Sequence, residues 1–156
     1  GGRKARVDIG DCWDHFQAIY TYPNDVRVDF SSGQFTYGYD DLCMRLYCDE
    51  GTVDSHYGGD VTIRGKSNTW EGGKTNTIYR DGAIANIKMF YDSIVNNTPI
   101  DNTLECANST MTSILGRMAA YGEKEVTWEE MIAADERLDP KLNLPADGPD
   151  QARVTA

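Results

Sequence analysis

The hydrophobic period of this chain changes once, and that change constrains the fold more than any other feature. Between Phe16 and Arg64 apolar and polar residues alternate. Phe16, Ala18, Tyr20 and Tyr22 interleave with Gln17, Ile19 and Thr21, and Val26, Val28 and Phe30 with Arg27, Asp29 and Ser31. Period two marks strands whose two faces meet different surroundings. From Asp81 to Asn97 the spacing becomes helical, with Ala83, Ile84, Ile87, Phe90, Tyr91, Ile94 and Val95 on one stripe. Strands first and helices afterwards predict an α+β fold: an open, mainly antiparallel β-sheet with helices packed on one face.

Turn chemistry divides the first half into five expected strands. Pro23-Asn24-Asp25 closes a hairpin, because proline presets the first turn dihedral and Asn and Asp tolerate left-handed backbone. Leu42, Met44 and Leu46 share one side of a third strand. Asp49-Glu50-Gly51 and Gly58-Gly59-Asp60 then bound two more, in one antiparallel meander. Residues 65–79, polar and glycine-bearing, read as a loop. Asn102 with Glu105, and Thr127 with Glu130, read as capping pairs for a second and a third helix, the third running to Leu138 before Asp139-Pro140. Residues 1–140 therefore read as one domain, and 141–156, with two prolines and no period, as an extended or disordered tail.

Composition narrows the function. A chain of 156 residues is one domain's worth, and a net charge of -10 argues against nucleic acid as a partner. No stretch reaches the ~20 apolar residues of a membrane helix, and no charged-then-apolar start reads as a signal peptide. The cysteines (Cys12, Cys43, Cys48, Cys106) form no C-x-x-C pair, so most of them read as small buried apolar groups rather than metal ligands. Dinucleotide, P-loop, nucleophile-elbow and zinc-protease signatures are all missing.

Two clusters remain as candidates for chemistry. Asp11, Trp13, Asp14 and His15 place carboxylates beside an imidazole, the pairing that acid–base work uses; alternatively Asp14 and His15 start a strand and cap its backbone. His56 and Tyr57, beside the Gly58-Gly59 turn, suit a polyol pocket through hydrogen bonds, or simply end a hairpin. Trp70 offers either a stacking face for a sugar or a loop anchor.

The run GGRKARVDIGDCWDHFQAIYTYPNDVRVDFSSGQF, then GTVDSHYGG, then TSILGRMAAYGEKEVTWEEM with DERLDP, resembles the C-terminal domain of a bacterial Gfo/Idh/MocA-type oxidoreductase. The likeness spans the chain to about Pro140 and lies in the order of its motifs. Asp25 stands where members commonly carry glycine. The resemblance implies a parent whose Rossmann half, absent from these residues, binds NAD or NADP and supplies the catalytic lysine. This half would shape a sugar or cyclitol pocket and build a homo-oligomer through its open sheet face. Asp11, Trp13, Asp14, His15, His56 and Tyr57 then become substrate-binding candidates. The domain alone is expected to hold no cofactor or metal and to be inactive. A stand-alone interaction or scaffold domain using the same open face is the other expectation.

Overall fold

The computed structural model describes residues 1–7, 10–34 and 41–139. The expected tail at 141–156 lies outside them, as does Pro140. Six strands come first: β1 (His15–Thr21), β2 (Arg27–Gly33), β3 (Cys43–Tyr47), β4 (Gly51–His56), β5 (Asp60–Gly65) and β6 (Thr69–Lys74). Helices α1 (Ile78–Val95), α2 (Thr103–Gly122) and α3 (Trp128–Ala134) follow. The fold is α+β with open antiparallel sheets, as the change of period predicts.

The strands do not form one meander. β1 pairs with β2 alone, and β3-β4-β5-β6 make a second sheet. Alternation and short turns specify local hairpins, but residues 34–42 form a connection too long for a hairpin turn, so nothing local joins β2 to β3. The expected loop at 65–79 is also corrected, because it contains β6. That strand carries a bulge opposite Val61 and Ile63, and Gly72 takes φ +104° there. A bulge breaks the alternation that would have revealed the strand.

Local chemistry accounts for most boundaries. Asn24 and Asp25 are both left-handed, at φ 63° and 57°, the twist of a primed hairpin turn. The Thr127 hydroxyl accepts the Glu130 N–H, and the Glu130 carboxylate accepts the Thr127 N–H, closing the capping box. The helix it opens stops at Ala134 rather than Leu138, where Asp135 turns left-handed at φ 40°. Asn102 sits at the N-cap position of α2 but gives no side-chain cap; Asp101 Oδ1 instead accepts the Thr103 N–H at 2.9 Å.

On the hairpin the even residues face α2. Directly opposed pairs are Phe16 with Ser32, Ala18 with Phe30 and Tyr20 with Val28. Gly116 of α2 is buried against this face, where a Cβ would come within 2.0 Å of the Tyr20 hydroxyl oxygen. α3 packs on α2 and buries Met131.

Little else is covered. Among the described residues Met131 is the one buried large apolar side chain. On α1, Ile87 is 70% and Phe90 67% exposed. The chain's accessible surface is 13726 Å², against about 7,900 Å² expected of a compact monomer of this mass. Folded this way, the chain presents apolar faces that other protein surface would bury.

The contact at Gly116 yields a test. Gly116→Ala gains ~1 kcal/mol of helix propensity, but overpacking against Tyr20 costs about 1–3 kcal/mol. Urea denaturation is expected to show a net loss, partly restored in the Gly116→Ala/Tyr20→Phe double variant. Additivity of the two substitutions would show that the helix does not rest on Tyr20.

Candidate functional site

The first candidate cluster is organised by one carboxylate. Asp14 is buried at 1% exposure, immediately ahead of β1. Its Oδ2 accepts the backbone N–H groups of Lys4, Ala5 and Arg6, each at 2.9 Å, and its Oδ1 lies 2.8 Å from His15 Nδ1. Burial alone would raise this carboxyl's pKa. The hydrogen bonds from Arg6, His15, Ala5 and Lys4 outweigh it and hold the group well below the usual carboxylate range. Both oxygens face inward, so Asp14 anchors the chain terminus and has no surface to offer a substrate. Asp14 does precede a strand, as one sequence reading has it, but the backbone it caps is that of Lys4, Ala5 and Arg6 rather than the strand's own.

The anchored segment runs back onto β1. Gly2 and His15 exchange backbone hydrogen bonds at 3.1 and 3.3 Å, and a Cβ on Gly1 would lie 2.7 Å from the His15 carbonyl oxygen. Trp13 closes this corner, with its ring 5.6 Å from Phe16 and 4.4 Å from Tyr121. Tyr121 and Arg117, whose guanidinium carbon stands 5.9 Å over the Tyr121 ring, were not among the sequence candidates. Their signal was the GRMAAY run itself, which places them four apart on one helix face. Asp11 is exposed and stands outside the cluster. Between the hairpin and α2 runs a groove of about 610 Å³, lined by aromatic rings, serine hydroxyls and Arg117.

The second cluster lies on the other sheet. Pairing sets Cys43 opposite His56 and Arg45 opposite Asp54 on one face, leaving Met44, Leu46, Val53 and Ile63 on the other. His56 stands between two carboxylates, with Nδ1 3.6 Å from Asp41 and Nε2 3.2 Å from Asp54. Arg45 Nε is 3.3 Å from the same Asp54 oxygen. That oxygen is buried and receives no directed hydrogen bond. The Cys43 thiol donates to Asp41, which lowers the carboxyl and raises the thiol. The Thr75 hydroxyl donates to the His56 carbonyl at 2.7 Å and accepts the Gly59 N–H at 3.2 Å, tying the turn to the end of β6. Tyr57 meets Tyr79 of α1 edge to face at 5.1 Å. Desolvation, and then the Tyr79 contact, push its hydroxyl up to about 12, so it remains a donor at neutral pH.

The predicted residues thus fall into two groups on separate sheets. Asp41 and Arg45 escaped the sequence reading, although the hairpin register around Asp49-Glu50 places Arg45 opposite Asp54, which begins the second candidate run, once the strands are paired. Trp70 stands in β6 opposite Ile63, not in a loop. Among the described residues no three of His, Cys, Asp and Glu are placed to hold a metal ion. No helix there is long and apolar enough to cross a membrane. Gly72 and Gly73 belong to β6 rather than to a loop opening a helix. No family model, curated protein or solved structure matches the chain.

Two measurements follow. Because Asp14 is depressed in the fold, its anchoring is complete above the unfolded carboxylate value of about 4 and fades only as pH falls through the lower folded value. Amide chemical shifts of Lys4, Ala5 and Arg6 are expected to hold from pH 7 to pH 4 and to move below it. In Asp14→Ala they should resemble unfolded values at every pH, with Tm lowered by several degrees. Shifts that titrate near pH 4, or a variant with native shifts, would remove this anchor. Cys12, Cys48 and Cys106 are exposed, not buried as expected, and Cys43 is half-buried; Cys43 should alkylate several-fold more slowly at pH 8 than Cys48. Mass spectrometry after iodoacetamide reads this, and equal rates would argue against the Asp41 bond.

Proposed function

We propose that this chain is the substrate-binding and oligomerisation domain of an NAD(P)-dependent sugar or cyclitol oxidoreductase of Gfo/Idh/MocA type. The observation that carries the reading is the uncovered apolar surface. A stripe along α1 and one face of β3–β6 stand open, as expected of a unit built to be covered by another domain or another copy. The ordered motifs, from the DHF strand through YPN to GRMAAY and VTWEEM, support the family by resemblance. The groove between the hairpin and α2 supports the substrate class, since aromatic faces with hydroxyls and a guanidinium suit a polyol. The parent would pass a hydride between a nicotinamide and a secondary alcohol or its ketone, with cofactor and catalytic lysine supplied by the Rossmann half.

The chain alone is then expected to bind neither NADH nor NADPH. Calorimetric titration checks this, and affinity tighter than millimolar would overturn it. Association is expected through the outer hairpin face, where Ile19 is 71% exposed among Gln17, Thr21, Arg27 and Asp29. Light scattering at tens of micromolar should show a dimer or larger species that Ile19→Lys dissociates. A monomer, or a dimer indifferent to the lysine, would exclude that face. A strand, a G-x-G-x-x-G turn and a helix encoded ahead of Gly1 would separate this reading from a stand-alone scaffold.

A further inference from the structure

Arg117 alone carries a charge among the described residues that line the groove between the hairpin and α2. That charge is balanced from outside the lining. Helix α3 ends where Asp135 turns left-handed at φ 40°, and the turn brings the chain back toward α2. There the Arg117 guanidinium donates to the Glu136 carboxylate, nineteen residues away in sequence. The guanidinium carbon also stands 5.9 Å over the ring of Tyr121, one turn further along α2. The Arg117 side chain is 25% exposed and that of Glu136 40%, so the pair is neither buried nor freely solvated.

The groove is left with hydrogen-bonding capacity and no net charge. Glu136 takes one terminal nitrogen of the guanidinium, and its other N–H groups have no protein partner among the described residues. The hydroxyls of Ser32, Ser109 and Ser113 have none there either. Thr112 donates its proton to the Asn108 carbonyl at 2.8 Å and keeps lone pairs with which to accept. A polyol hydroxyl both donates and accepts, so it matches every group in this set. A carboxylate or phosphate meets a different balance. To bond Arg117 it must displace Glu136 or share one cation with it, and the two anions repel each other. The chain's net charge of -10 opposes an anion further.

Given that the groove is the polyol site proposed above, we infer that Glu136 sets the charge class of its ligand. By balancing Arg117 it keeps the groove for uncharged polyols and turns away their acids and phosphates. Glu136 is a positioning residue, acting through the guanidinium rather than by touching the ligand. Without its charge, Arg117 becomes a cation that a sugar acid can pair with, while the hydroxyls that hold a neutral ring stay as they are.

NMR titration of the full chain at low salt tests this, with D-glucose and myo-inositol as neutral probes and D-glucuronate as the acid of the first. The signals followed are the Arg117 Nε–H and the rings of Phe16 and Phe30. The unchanged chain is expected to bind a neutral probe and to bind glucuronate at least about tenfold more weakly. In Glu136→Gln, glucuronate should gain about tenfold or more while the neutral affinity stays within about twofold. Glu136→Ala should shift selectivity in the same direction; a part-exposed ion pair adds little to stability, so both variants stay folded. Adding Arg117→Gln to Glu136→Gln should remove the gain. Neutral binding with glucuronate held equally by the unchanged chain and both variants would overturn the role of Glu136 and spare the polyol reading. A gain that survives Arg117→Gln would overturn it as well. Absence of neutral binding at these signals in the unchanged chain would remove the polyol reading and the inference together.

Discussion

A buried carboxylate held by backbone amides is the constraint from which the first sheet is built. Asp14 sits where an ionised oxygen is costly, and three consecutive amides together with one imidazole make it tolerable. Those amides come from a segment with no regular structure of its own, so the carboxylate gives the terminus its shape. The segment in turn places Gly2 on β1 and leaves the Trp13 ring facing Tyr121. Removing the charge therefore affects backbone, strand edge and aromatic corner together.

The two sheets divide the work differently. The hairpin has a helix on one face and a polar, partly apolar face outward, the arrangement expected of a domain that both shapes a pocket and meets another surface. The four-stranded sheet separates charge from oil more sharply. Arg45, Asp54 and His56 collect on one side, and Met44, Leu46 and Ile63 on the other. Charges on an exposed sheet face interact weakly, screened by solvent. Their placement there adds little to stability. The open apolar side has the opposite character, since water contact disfavours it until something covers it.

Much of this was legible because it is local. Alternation gave the β1–β2 hairpin and which side chains share a face, and the Thr127 capping box was readable because both partners lie within four residues. What escaped depends on groups far apart in sequence or on backbone that breaks the rules. The role of Asp14 could not be read from its neighbours, because its donors lie eight to ten residues upstream in a segment without periodicity. The division into two sheets escaped because strand signals do not say which strands meet across a long connection. Arg45 and Asp54 look unrelated in sequence and become a pair only through register.

The bulge in β6 decides more than the course of one strand. Trp70 and Lys74 are four residues apart, so a regular strand would carry both on the same face. Here Trp70 opposes Ile63 on the apolar face, while Lys74 opposes Asp60, its ammonium 3.7 Å from that carboxylate on the charged face. The extra residue between them is what parts the two. It is possible only because position 72 has no side chain, since a Cβ there would meet the Val61 carbonyl oxygen at 1.8 Å. Any other residue would push the strand toward regular pairing. Either the indole would then swing in beside Arg64, or the lysine would turn into the apolar side. One hydrogen atom in place of a methyl group thus keeps the two surfaces of this sheet from mixing.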